Sequence, residues 1–247
     1  MHEYRSSPEA RMLGSVLLLA GLMLAGSGCR EHHPDDDLAS GAGSGGGGAS
    51  TCTLTPSTTL ETLPGAQTGH TVSKSTETTG WSSVDCDSQG QIYVAYNQDL
   101  SGSGTYRIYL RRWNGTTWEE LDGSASGDGI GPGSNPYMIL NAQGQPVVLA
   151  YLGTTIVMYQ WNGSAWASMP APATSGGGLS NVPRLALDPV TGFIVAAWSQ
   201  SSMGYYVQRW NGSTWEDLGG SGSGAGLANV SGSWDDILAR NGKVWVT

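Results

Sequence analysis

Three stretches, RRWNGTTWEEL at 111–121, YQWNGSAWASM at 159–169 and QRWNGSTWEDL at 208–218, superimpose without gaps. Their leading tryptophans, Trp113, Trp161 and Trp210, are 48 and 49 residues apart. A second motif alternates with the first: SSVDCDSQGQIYVAY at 82–96, YMILNAQGQPVVLAY at 137–151, RLALDPVTGFIVAAW at 184–198 and DDILARNGKVWV at 235–246. Interleaved copies at a fixed period mark a repeat architecture, so the fold follows from the unit.

Each motif reads as a β-hairpin. In the first, Asn-Gly stands between runs rich in aromatic and β-branched residues, a strong short-range hairpin signal. A type I′ turn centred on Asn114-Gly115, Asn162-Gly163 or Asn211-Gly212 is expected, with both central residues at positive φ. That register pairs Trp113 with Thr116 and Arg111 with Trp118 and puts both tryptophans on one face. The second motif turns at Asp87, Asn141 or Asp188, three or four residues before a glycine. Its apolar runs are continuous, which indicates strands buried on both faces.

Two hairpins per 48 residues make four strands per unit, the periodicity of propeller blades. The expected fold is all-β, a β-propeller of four-stranded antiparallel blades at 81–121, 135–169 and 181–218, with a partial fourth at 233–247. No segment past the N-terminal apolar run shows helical periodicity. The stretch STTLETLPGA at 57–66 resembles GTTWEELDGSA at 115–125, with Leu60 in the tryptophan's place. Residues 58–63 are therefore expected to supply an outer strand to the last blade. Three and a half blades leave open sheet edges, so the expectation is of an incomplete ring and a further W-N-G-[ST]-x-W copy near position 259. Over residues 52–247 the pattern resembles bacterial propellers of the kelch/galactose-oxidase and sialidase-like kinds. The paired glycines of a kelch repeat and the full S-x-D-x-G-x-x-W box of sialidases are not present, and the likeness lies in blade-building residues.

The 247 residues carry a formal charge of −9 and two lysines, Lys74 and Lys243. Nucleic-acid affinity rests on neutralised phosphates, so this balance argues against nucleic acid; it argues equally against unassisted adhesion to anionic lipid. Arg5 and Arg11 precede an apolar run from Leu13 to Ala25, too short to span a bilayer and of the length of a signal-peptide core. The ending AGSGC resembles a bacterial lipobox. Residues 1–28 are expected to be a lipoprotein-type signal peptide, Cys29 the lipidated residue, and 29–50 an acidic Gly/Ser-rich tether to a domain spanning 51–247. The expected location is the cell envelope, as an outer-membrane lipoprotein or a secreted protein, with membrane contact through the anchor alone. Lipidation of Cys29 leaves Cys52 and Cys86 as a pair for a disulfide.

Candidate site residues are few. Exposed tryptophans stack on sugar rings, which makes Arg111, Trp113, Trp118, Tyr159, Trp161, Trp166, Trp210 and Trp215 candidate ligand-binding residues. The same tryptophans, recurring once per blade, also suit packing against a neighbouring blade. Arg111, Tyr159 and Gln208 occupy equivalent positions with different side chains. No catalytic constellation is expected: His70 is the one histidine of the domain, no nucleophile accompanies it in the sequence, and the His/Cys sets that hold zinc or copper are missing. Neither cofactor nor metal is expected. The function expected is non-enzymatic recognition of a glycan or protein. The alternatives are a secreted hydrolase or oxidase with catalytic residues elsewhere, or a structural spacer in an envelope complex.

Overall fold

The computed structural model describes residues 79–99, 102–174, 179, 183–200, 204–223, 226–227 and 236–246. The signal peptide, Cys29, the tether, Cys52, His70 and residues 58–63 lie outside the described residues. Cys86 is half-buried.

Every described element is a β-strand, and the strands fall into successive antiparallel sheets. The first sheet is β1 (Thr79–Cys86), β2 (Ile92–Gln98), β3 (Arg107–Trp113) and β4 (Trp118–Glu119), with β5 (Gly131–Pro132) also on β3. The second is β6 (Ser134–Leu140), β7 (Pro146–Leu152), β8 (Thr155–Trp161) and β9 (Trp166–Met169). The third is β10 (Arg184–Leu187), β11 (Ile194–Gln200), β12 (Gly204–Trp210) and β13 (Trp215–Asp217). Two further strands, β14 (Ile237–Arg240) and β15 (Lys243–Val246), pair with each other. The four-stranded antiparallel unit read from the repeat is thus present three times, in sequence order.

Alternation along the strands buries both faces of the middle strands. Ala95, Ile108 and Leu110 of the first sheet pack with Met138, Val148 and Ala150 of the second. Val147, Leu149 and Met158 on the second sheet's other face pack with Leu185, Ala196 and Trp198 of the third. Ala186, Val195 and Val207 then meet Ile237 and Ala239. The sheets are stacked face to face, and their first strands β1, β6, β10 and β14 run beside one another in that order.

Polar side chains stitch these first strands together. Asp85 Oδ2 accepts from Leu140 N at 2.9 Å and Ser83 Oγ from Met138 N at 3.0 Å. Asp188 accepts from Asn241 N (2.9 Å) and Gly242 N (2.6 Å) of the β14–β15 turn. The Asp/Asn turns close as expected: Asp87 Oδ1 accepts from Gln89 N and Gln91 N, and Asn141 Oδ1 from Gln143 N and Gln145 N. Gly90, Gly144 and Gly192 follow at φ 78, 72 and 74°, where any other residue is strained.

The W-N-G turn departs from the expected register. Trp113 lies opposite Trp118, Trp161 opposite Trp166 and Trp210 opposite Trp215, in place of the Trp113–Thr116 and Arg111–Trp118 pairs. Asn114, Asn162 and Asn211 are not among the positive-φ residues; Gly115, Gly163 and Gly212 are, at 96, 98 and 102°. The cause is the asparagine side chain. Asn114 Oδ1 accepts from Thr116 N and Thr117 N, both at 2.9 Å, and the other copies repeat this. That side-chain turn moves the glycine to the first central position, the one that must be positive in a type II′ turn. Asn241 and Gly242, at φ 52 and 73°, form an Asn-Gly hairpin turn that does take the I′ geometry.

Candidate ligand-binding seam

Direct opposition brings each tryptophan pair together, with ring centroids 5.6–5.7 Å apart and planes tilted by 50–56°. The pairs themselves sit in three different places. Trp161 and Trp166 cover the seam between the first and second sheets, and Trp210 and Trp215 the seam between the second and third. Trp118 packs on the outward face of the first sheet with Val94, Tyr96 and Tyr109, and Trp113 is buried beside it. Trp166 Nε1 donates to Leu121 O of the preceding sheet at 2.8 Å, and Trp215 Nε1 to Pro170 O at 2.7 Å. These indoles are latches between sheets. Trp166→Phe removes the donor and leaves the Leu121 carbonyl with the Ser124 N–H alone, so we expect a loss of about 1 kcal/mol in urea unfolding.

The remaining candidates also have local duties. Tyr159 Oη donates to Pro132 O at 2.8 Å. Arg111 lies beside the phenol of Tyr96, which burial pushes up to about 12 against the arginine's positive charge. The other arginines are engaged nearby: Arg112 with Glu119 at 2.5 Å, Arg209 with Glu216 at 2.6 Å, Arg107 with Asp128. Glu119 and Glu216 are thus ion-paired across their hairpins. Among the described residues no three His, Cys, Asp or Glu side chains gather into a metal-binding group.

One seam stands apart. Four buried side-chain polar atoms of the described residues have no hydrogen-bond partner: Arg111 Nε, Tyr151 Oη, Trp198 Nε1 and Gln208 Oε1. Three of them belong to the facing surfaces of the second and third sheets. Tyr151 follows Val147 and Leu149 at strand spacing on the face that meets the third sheet. Trp198 lies in that interface at 0 % exposure, and Gln208 shares its strand face with Tyr206 and Trp210 at 9 %. Arg111, the fourth, stands 97 positions before Gln208 at the equivalent place in the first sheet.

The seam is closed, with its polar atoms buried among packed side chains. Trp198 and Tyr206 are directly opposite on β11 and β12, stacked at 5.6 Å and 15°. Arg184, heading β10, places its guanidinium 5.1 Å over the Tyr137 ring. Burial raises the Tyr151 phenol above its ordinary value, and the Arg184 charge opposes the rise. Tyr151 therefore stays protonated and keeps a donor. Trp198 supplies a second donor, Gln208 an acceptor, and the paired rings a flat apolar wall. These groups have the polarity to meet neutral hydroxyls, but Trp198 is fully buried and a ligand reaches them only where the two sheets part; the set contains no nucleophile–base pair.

Sequence reasoning passed over Trp198 and Tyr151 because they close the apolar runs IVAAW and VVLAY, which read only as buried strands. The available signal was the position of Gln208, where the repeats differ.

No protein-family model matches the chain, and no curated protein matches it. Several solved structures resemble it, two of them as follows. A fucose lectin from Kordia zhangzhouensis, in complex with methyl-fucoside, is 19% identical at a TM-score of 0.37, covering 56% of this chain and 97% of the lectin. A glycoside hydrolase is 11% identical at a TM-score of 0.30, covering 66% of this chain and 53% of the hydrolase.

Proposed function

We propose that this chain is a non-enzymatic glycan-recognition module on a β-propeller platform, carried outside the cytoplasm and tethered to the envelope through a lipidated Cys29. The observation that supports it best is the concentration of unpaired polar atoms, Tyr151 Oη, Trp198 Nε1 and Gln208 Oε1, in a single aromatic-walled seam. A buried polar atom without a partner costs about 1–3 kcal/mol, and a hydroxyl-bearing ligand admitted between the second and third sheets would recover part of that cost. The serial contact of β1, β6, β10 and β14 is what radial blades around an axis require.

The experiment is a glycan array followed by calorimetry, on the wild type and on Tyr151→Phe. Saturable binding without product release is expected. Tyr151→Phe removes one unpaired oxygen and nothing else, so it should weaken binding at least tenfold, about 1.4 kcal/mol, with stability unchanged or slightly raised. Absence of any glycan ligand, or release of a cleaved sugar, sinks the reading.

A further inference from the structure

Four Asn-Gly pairs stand in turns: Asn114-Gly115, Asn162-Gly163, Asn211-Gly212 and Asn241-Gly242. Such a pair is chemically fragile. The glycine carries no side chain to shield its amide nitrogen, which can attack the asparagine's Cγ and expel the side-chain nitrogen as ammonia. Three features of a turn set how readily this happens. They are whether the glycine nitrogen is free, whether the leaving Nδ2 is held, and which donors meet the Oδ1 where negative charge builds.

The four turns differ on these counts. Gly242 N is engaged, donating to Asp188 Oδ2 at 2.6 Å, whereas Gly115, Gly163 and Gly212 N donate to none of the described residues. Asn211 Nδ2 donates to Thr214 Oγ1 at 3.3 Å and to Glu216 Oε1 at 2.5 Å, and Asn114 Nδ2 to Thr117 Oγ1 at 3.4 Å. Asn162 is followed by Ala165 where the other two have threonine, and by Ala167 where they have Glu119 and Glu216. Its Nδ2 has no partner among the described residues. Asn162 Oδ1 accepts from Ser164 N, Ala165 N and Ser164 Oγ, all at 2.9 Å, one donor more than Asn114 Oδ1. The turn is exposed even though its sheet has a packed neighbour on either side.

We infer that Asn162-Gly163 is the chain's site of spontaneous deamidation, the pair in which nucleophile and leaving group are both free while the carbonyl is polarised. Gly163 N gives its proton to solvent hydroxide and bonds to Asn162 Cγ. The Cγ–Nδ2 bond breaks, and the nitrogen takes a proton from water and leaves as ammonia. Water then opens the five-membered imide at either carbonyl, leaving aspartate or isoaspartate at position 162. Isoaspartate adds a backbone atom to the turn. Trp161 and Trp166 then lose their direct opposition, and the Trp166 Nε1 bond to Leu121 O goes with it. The modification unlatches the seam between the first and second sheets.

The test ages the full-length chain at mildly alkaline pH, in buffer and in concentrated urea, and follows each asparagine by peptide mapping with fragmentation mass spectrometry. In urea the four pairs should react at similar rates. In the folded chain Asn162 should lead, with isoaspartate accumulating there. Ala165→Thr restores the hydroxyl that Asn114 and Asn211 have and should slow Asn162 about fivefold, the worth of one hydrogen bond. Threonine occupies this position in both other copies, and a circular dichroism spectrum checks the fold; should the variant not fold, the order of reaction in the wild type decides alone. A folded chain in which Asn114, Asn211 or Asn241 reacts first, or in which none reacts while all do in urea, overturns the inference. So does an equal lead of Asn162 in urea, since local sequence would then set the order, or a folded Ala165→Thr variant with an unchanged rate at Asn162.

Discussion

Trp198→Ala should cost about 4 kcal/mol of folding stability, the largest single effect expected in this chain. The indole is fully buried in the interface of the second and third sheets, among Leu149, Met158 and Ala196. It stacks on Tyr206 at 5.6 Å. Truncation removes the largest of the fully buried side chains and opens a void that two rigid sheets cannot close, for which about 3–5 kcal/mol is usual. Chemical denaturation measures it. The control is Trp81→Ala: Trp81 is 64% exposed, and its loss should stay within about 0.5 kcal/mol. Equal effects would show that the second seam does not carry the fold.

Asp188→Ala should cost about 3 kcal/mol, for a different reason. Its side chain is 2% exposed and accepts four backbone N–H groups. Two come from its own turn, Val190 N at 2.9 Å and Thr191 N at 3.3 Å. Two come from the β14–β15 turn, Asn241 N and Gly242 N. Removing the carboxylate strands all four donors and unties the third sheet from β14–β15. Burial alone would raise this carboxyl's pKa, but the backbone donors from Gly242, Val190, Asn241 and Thr191 outweigh it and hold the group well below the usual carboxylate range. A depressed folded pKa means stability that is fully present above the unfolded value, about 4. It is lost as pH falls from there towards the folded value. The stability gap between wild type and Asp188→Asn should therefore be flat from pH 5 to 8 and shrink below pH 4. A gap that closes between pH 5 and 7 would assign the effect to another group.

These two residues show what the sequence could and could not disclose. Both hairpin types, the four-stranded unit and the burial of both strand faces were legible, because period-two patterning and turn residues act locally. Asp188 was legible as a turn residue, yet its grip on Asn241 and Gly242 was not, since 53 residues separate the partners. The W-N-G register was misread for a physical reason. An Asn-Gly pair suits a I′ turn, but the same asparagine can cap the two N–H groups beyond it with its side chain, and the sequence does not say which wins. In β14–β15, where Asn241 follows Arg240 directly and Lys243 closes the pair, the I′ geometry does win.

The tryptophans carry the same lesson for function. Repetition made Trp161, Trp166, Trp210 and Trp215 conspicuous as sugar-stacking residues, while only the stacking of the sheets reveals that Trp166 and Trp215 spend their N–H groups on the preceding sheet. The seam proposed for the ligand is built instead from Trp198, Tyr151 and Gln208, on three strands of two sheets. A polar atom's lack of a partner is a property of packing, and no local pattern encodes it.

The measurement that tests the account most directly is the indole N–H resonance of Trp198 during titration with the methyl glycoside that binds best in the array. Recognition in the second seam predicts that this signal shifts in step with saturation, while the Trp166 and Trp215 indoles, already bonded to carbonyls, hold still. Movement confined to Trp166 and Trp215, with Trp198 unchanged at saturation, would contradict it.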